Sequence, residues 1–398
     1  MLSEVPEDWS ESKLEDVCEI LDKFRVPLNS DERQVRKGSV PYWGANGIVD
    51  YIDEAIFDEP LLLMPEDGGP FGEARVKPIC HKIDEPVWVN NHAHVLRVTG
   101  ANREYVYQWF VNRDITDFLV GGTRAKLNQK ALRTLPVFLP PLNEQHRIAE
   151  ILSSVDASIQ ATQAVIEQAE RVKRGLMEEL LTGGLGSEAI ERGEVPEGWA
   201  LSSVSSVLKP SLFIDGDWGE SKDQSPDGDV RLIQLADIGD GYFIDKSDRH
   251  LTKDTAMRLK CTFLRKGDIL VARMPEPLGR CCFFPLEGEE CFVTVVDVAI
   301  MRPHNSFNAM WLMNLINSDY ARRFIEDNAG GTTRKRISRK NLGGLLLPVP
   351  PISEQCRIAE ILSDSDNFIA KQKKTVEQLT RTKRGLMDDL LTGKVRTV

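Results

Sequence analysis

Runs of apolar residues long enough to cross a membrane are missing from this 398-residue sequence. The opening MLSEVPEDWSESKLEDV is acidic and lacks the basic and apolar blocks of a signal peptide, so a cytoplasmic protein is expected. Cys-x-x-Cys spacing is missing too. The cysteines number seven, an odd count, and reduced, mostly buried thiols are the default reading in a cytosolic chain, the vicinal Cys281-Cys282 included. Cys80, His81, His92 and His94 form the only metal-like group, and their spacing falls short of a four-ligand zinc site, so no metal is expected. His92 and His94 alternate in what reads as a strand, which puts both on one face, packed in a sheet or turned toward a ligand.

An overall positive charge is absent as well. The net charge is −11, which taken alone argues against nucleic acid. Its distribution reverses that. Residues 123 to 133 carry Arg124, Lys126, Lys130 and Arg133 with no acid, and residues 332 to 340 carry Arg334, Lys335, Arg336, Arg339 and Lys340 with none. Because salt confines each charge to roughly 8–10 Å, local clustering decides phosphate binding more than the whole-chain sum.

What is present is a repeat. Residues 144 to 183 return at 354 to 393 with 23 of 40 positions identical at a constant offset of 210, which marks an internal pseudo-two-fold relationship. Pro140-Pro141 matches Pro350-Pro351, the Val-Pro-Glu-Asp-Trp ending at Trp9 matches the Val-Pro-Glu-Gly-Trp ending at Trp199, and residues 127 to 132 parallel residues 337 to 342. Residues 10 to 120 and 200 to 330 show little mutual likeness. The unit is therefore a variable globular segment followed by a near-constant helix.

Each constant segment reads as one long helix. Ile148, Leu152, Ile159, Ile166, Leu176 and Leu180 in the first copy, and Ile358, Leu362, Ile369, Val376, Leu386 and Leu390 in the second, recur at steps of three and four as in a coiled-coil seam. Pro-Pro then Asn143 or Ser353 supplies the start, and Thr182-Gly183 or Thr392-Gly393 the stop. The identities also reach polar positions, among them Glu144, Gln145, Arg147, Glu150, Asp156, Glu167, Gln168, Arg171, Lys173 and Arg174, which suggests outer faces that bind a second protein twice. Short strands at residues 61–64, 87–89, 95–98, 230–235, 268–272 and 292–296, with helical patterns at 103–112 and 308–327, make each globular segment an α+β domain with a mainly antiparallel sheet.

In this order, globular segment, Pro-Pro, helix ending Gly-Leu-Met-Glu-Glu-Leu-Leu-Thr-Gly, then the whole again, the sequence resembles the specificity subunit of type I restriction-modification systems along its full length. Tyr42-Trp-Gly-Ala-Asn-Gly47, Asn91-His-Ala-His-Val-Leu-Arg97, Gly121-Gly-Thr123 and Lys266-Gly-Asp-Ile-Leu-Val-Ala-Arg273 look like that family's phrases. The resemblance implies target-recognition domains at 1–140 and 185–350, conserved helices at 141–184 and 351–398, and a pair of antiparallel coiled-coil helices separating the two domains. It also implies partners: double-stranded DNA with a bipartite target, two adenine-methyltransferase subunits docked on the helices, and restriction-translocase subunits.

Chemistry in this chain is not expected. An amino-methyltransferase needs a polar residue before Pro-Pro and an aromatic after it, to bond the flipped base and stack on it. Here the pairs read Leu139-Pro-Pro-Leu142 and Val349-Pro-Pro-Ile352. No Gly-rich loop for S-adenosylmethionine and no Walker loop are found; the resemblance implies that S-adenosylmethionine, ATP and magnesium belong to the partner subunits. Contacts to DNA are expected from Arg124, Lys126, Lys130, Arg334, Lys335, Arg336 and Lys340, whose cations suit phosphates. Base readers are expected among Asn46, Arg75, Asn91 and His92 in the first domain and Gln234, Arg273 and Arg280 in the second. Three rivals remain: a chain with its own methyltransferase or nuclease activity, a purely structural coiled-coil scaffold, and a specificity subunit of a different multisubunit methylation system.

Overall fold

The computed structural model describes residues 6–74, 76–121, 125–209, 211–217, 219, 221–275, 277–331 and 334–397. It divides into two compact units. One comprises Met1–Gln163 with Lys374–Val398, the other Ala164–Lys373, so each unit takes a globular segment together with part of both long helices.

In the first unit the strand Leu61–Pro65, buried at every position, lies inside a four-stranded antiparallel sheet. Its order is Cys18–Ile20, Ala93–Val98, Leu61–Pro65, His81–Ile83. A second sheet sets Lys37–Trp43 between Ile48–Ile52, antiparallel, and Trp88–Val89, parallel. Ser10–Lys13 and Pro136–Leu139 make a separate antiparallel ribbon.

The second unit repeats this plan. Its four-stranded antiparallel sheet runs Leu212–Asp215, Val298–Arg302, Ile269–Ala272, Cys281–Phe283. A three-stranded sheet places Val230–Ile233 between His250–Leu251, antiparallel, and Phe292–Thr294, parallel. The ribbon pairs Ala200–Ser203 with Leu346–Val349. Two globular segments with little sequence likeness thus share one strand order, one pair of parallel neighbours and one ribbon. The helical pattern at 308–327 proves to be two helices, Ala309–Ile316 and Asp319–Asp327, because the Ser318 hydroxyl accepts the Ala321 N–H and caps the second.

The long helices span Leu142–Thr182 and Ile352–Leu390. Each opens through the same device. Gln145 donates to the Pro140 carbonyl and accepts the Asn102 N–H, and Gln355 does the same with Pro350 and Asn308, all at 2.9 Å. Each ends at a left-handed glycine, Gly183 (φ +64°) or Gly393 (φ +73°). A Cβ at these positions would lie 2.2 Å from the ring of Pro196 and 2.5 Å from that of Pro6, so only glycine fits.

The seam residues at the helix ends join the domain cores. Ile148 and Leu152 pack with Leu390, and with the partly buried Leu386, into the core of the first unit. Ile358 and Leu362 pack with Leu181, Leu176 and Leu180 in the second. Ile159, Ile166 and Val376 are half-buried and Ile369 is buried.

Some of the shared polarity that suggested an outside partner has an internal reason. Glu144 and both glutamines are buried. Lys383 pairs with Asp156 at 2.7 Å in the first unit, and the repeat-equivalent Lys173 pairs with Asp366 at 2.5 Å in the second. Arg147, Glu150, Glu167, Gln168, Arg171 and Arg174, with their counterparts in the second helix, remain exposed.

Candidate nucleic-acid interface

The two basic segments are closed at their base by the same backbone pairing. Val120 and Lys126 exchange N–H···O bonds of 2.9 Å, and Gly330 and Arg336, 210 residues on, exchange bonds of 3.0 and 2.8 Å. The next residue, Leu127 or Ile337, is fully buried and anchors the loop in the domain core. Its N–H donates to the carbonyl of the residue that follows a central strand, Glu66 at 2.8 Å or Arg273 at 3.1 Å.

What holds the other side of that anchor differs between the units. In the first, the Leu127 carbonyl lies 2.7 Å from Nε2 of His94, which has no exposed surface and whose Nδ1 lies 2.6 Å from the Asp22 carboxylate. Oxygen acceptors face both ring nitrogens, an arrangement satisfied by the doubly protonated imidazole. Asp22 also accepts from the Val95 N–H and from Gln129. Burial alone would raise its pKa; the hydrogen bonds from His94 and Val95 and the charges of His94 and Arg25 hold it below the ordinary value. Glu66, similarly opposed by burial, is kept low by Lys126 and Arg25, each at 2.8 Å.

In the second unit a buried guanidinium takes the imidazole's place. Arg273 donates to the Ile337 carbonyl at 3.5 Å and to the Val296 carbonyl, and pairs with Asp215 at 3.0 Å. Burial lowers its pKa, partly offset by Asp215. Asp22, Glu66, His94 and Arg25 were not anticipated from sequence as loop supports. A signal was available, since the repeat aligns Leu127 with Ile337 and both must be fastened to something.

Among the DNA candidates the structure turns two inward. Arg273 is 3% exposed, and Arg280, 8% exposed, donates to the carbonyls of Ile238, Met274, Pro277 and Leu235. Both brace the domain rather than present a guanidinium to a base. Gln234 is half-buried, its N–H given to Asp237 at 2.7 Å. Lys130, Arg334, Lys335 and Lys340 are exposed, whereas Lys126 is tied to Glu66 and Arg336 to Asp297 at 2.9 Å. Arg75 and Arg124 lie outside the described residues.

In the first unit the remaining candidates gather beside the basic loop. Asp67 bridges to Lys126 through the backbone; Asn46, at the tip of the hairpin formed by Lys37–Trp43 and Ile48–Ile52, donates to the Gly68 carbonyl at 2.7 Å; and His92 lies 2.9 Å from Asp67. Asn91 is exposed next to it. His92 and His94 do not share a face as their spacing suggested, because the strand begins only at Ala93. Asp22, Glu66 and His94 stand close enough to surround an ion, but hydrogen bonds already engage both imidazole nitrogens. Among the described residues no helix is long and apolar enough to cross a membrane.

Comparison with known proteins agrees with this doubled plan. The family profile described as "Type I restriction modification DNA specificity domain" matches twice, over residues 6–171 and 196–381. The chain is 24% identical to the type I restriction enzyme MjaVIII specificity subunit of Methanocaldococcus jannaschii, covering 98% of this chain and 94% of that one. It is 26% identical to a putative type I restriction enzyme specificity subunit of Haemophilus influenzae, with 88% and 85% covered. Its fold is similar to the crystal structure of a type I restriction-modification S subunit from M. genitalium, at a TM-score of 0.58 with 14% identity, covering 98% of this chain and 96% of that one. Two matches to one profile, on two units of one topology, establish that the chain belongs to the type I restriction-modification DNA specificity family.

Proposed function

We propose that this chain is the DNA-reading subunit of a type I restriction-modification complex, in which each unit recognises one half of a bipartite double-stranded target. The observation that carries the reading is the duplicated topology with a basic loop fastened at the same point in both units. Shared architecture holds two readers alike, while divergent surfaces let them read different sequences. Lys130, Arg334, Lys335 and Lys340 meet phosphates; Asn46, Asn91, His92 and Gln234 are the residues turned to bases.

The two long helices run antiparallel as a coiled coil between recognition domains at 1–140 and 185–350. At about 1.5 Å per residue, a helix of 41 residues spans roughly 60 Å and acts as a ruler. The exposed polar positions repeated on both helices, Arg147 and Arg171 among them, dock two adenine-methyltransferase subunits, and restriction-translocase subunits join that core. Methyl transfer and its S-adenosylmethionine belong to those partners, as do ATP and magnesium, and the complex works in the cytoplasm.

The test is methyl transfer from S-adenosylmethionine to DNA by the purified chain, alone and with its cognate methyltransferase subunit. Activity only in the mixture supports the reading. Sequence-specific methylation by the chain alone would replace it with the bifunctional enzyme.

A further inference from the structure

His92 is fixed more firmly than a surface histidine of its exposure requires. Its N–H donates to the Asn90 side chain at 2.8 Å, its carbonyl accepts the Glu66 N–H at 2.8 Å, and its ring Nδ1 lies 2.9 Å from Oδ1 of Asp67. The imidazole is 45% exposed and Asp67 only 17%. Backbone and ring are therefore both oriented from the protein side, and Nε2 is the nitrogen left toward solvent, with no bond to a described residue. Asp67, which orients the ring, is bridged through its backbone to Lys126 of the basic loop, and the next residue, Gly68, accepts from Asn46 at the hairpin tip.

A carboxylate accepts, so Nδ1 carries the proton in this pair, and with a single proton on the ring Nε2 is an acceptor. We propose that Asp67 sets the hydrogen-bonding polarity of His92 and thereby makes the first unit read an amino-bearing base edge at one position of its half-site. In the major groove that edge is adenine N6 or cytosine N4. Guanine O6 and thymine O4 occupy the same places and offer only lone pairs, so an acceptor at Nε2 rejects guanine in favour of adenine, or thymine in favour of cytosine. This rests on the reading of the first unit as a DNA-recognition domain. Asp67 is a positioning residue, and His92 the group that touches the base.

The experiment uses the chain assembled with its methyltransferase subunits and duplexes of the methylated sequence, varied one base at a time through the first half-site. At one position the wild-type complex should prefer adenine over guanine, or cytosine over thymine, by roughly 3- to 10-fold, the range of one neutral hydrogen bond. Asp67→Asn, whose amide can offer either its oxygen or its NH2 to Nδ1, should bring that ratio close to one and leave the second half-site unchanged. Asp67→Glu should restore it. His92→Ala should abolish the preference at the same position.

Loss of the preference in His92→Ala but its retention in Asp67→Asn overturns the role of Asp67 while leaving the DNA-facing surface intact. No change in His92→Ala overturns both. Should Asp67→Asn fail to fold, nitrogen NMR of the wild-type chain with labelled histidines decides the matter. A neutral His92 protonated at Nδ1 supports the proposal, and one protonated at Nε2 contradicts it.

Discussion

Glu66 and Arg273 hold the same station in the two units: each carbonyl accepts the N–H of the first buried residue after a basic loop, Leu127 at 2.8 Å and Ile337 at 3.1 Å. Their side chains have opposite charge. The backbone bond is kept by the fold while the side chain serves local needs, Glu66 binding Lys126 and Arg25, and Arg273 binding Asp215.

Arg273 is buried and its guanidinium reaches both Asp215 and the Ile337 carbonyl, so Arg273→Ala leaves Asp215 without its closest cation and removes that side-chain bond to the loop base, while the backbone bond between residues 273 and 337 remains. Removing one partner of a buried pair costs about 3–5 kcal/mol at full burial, and Asp215 is 37% exposed, so a loss of about 2–3 kcal/mol is expected. Chemical denaturation should report it, with recognition of the second half-site impaired and the first intact.

Removal of surface charge is expected to act differently. Arg334, Lys335 and Lys340 are exposed, and replacing them with alanine should weaken binding to every sequence without altering preference. The slope of log affinity against log salt should flatten by about 0.9 for each phosphate that is no longer neutralised. An unchanged slope in a salt titration would place that loop away from DNA.

Leu152 and Leu362 have no exposed surface, and each ties a long helix into the core of one unit. Leu152→Ala or Leu362→Ala should each cost about 2–5 kcal/mol, the range for a buried leucine truncated without collapse of the site. Melting curves check this directly.

Asp217 supplies a pH dependence of known sign. Burial pushes its carboxyl up from 3.8 to about 6, although the Thr262 N–H, at 3.0 Å, works against the shift. A carboxyl raised in the folded state stabilises it fully below pH 3.8, and that contribution is lost as pH rises through 6. Asp217→Asn should therefore raise the melting temperature at pH 7.5, with the gain shrinking toward pH 4.

The helices were legible because their signals are local: the heptad steps, the Pro-Pro entry and the terminal glycine all lie within the element they define. The globular halves were legible only in part. Leu61–Pro65 and Ile269–Ala272 announce themselves as buried strands, yet nothing in their spacing tells that both sit third in the same sheet order. Arg273 and Arg280 misled for a physical reason. An arginine flanking a strand reads as solvated, and only the tertiary fold reveals the carbonyls that make its burial tolerable. The aligned Leu127 and Ile337 signal that an anchor is needed, but not that His94 supplies it, since the equivalent clamp in the second unit is an arginine.

The central claim, that each unit reads one half of the target independently, is tested most directly by exchanging residues 10 to 140 for the matching segment of a relative of different specificity. The methylome of cells carrying the chimera with its partner genes is then sequenced. A motif in which the first half changes to the donor's while the second half and the spacing persist is the expected result. An unchanged motif, or one altered in both halves, would contradict it.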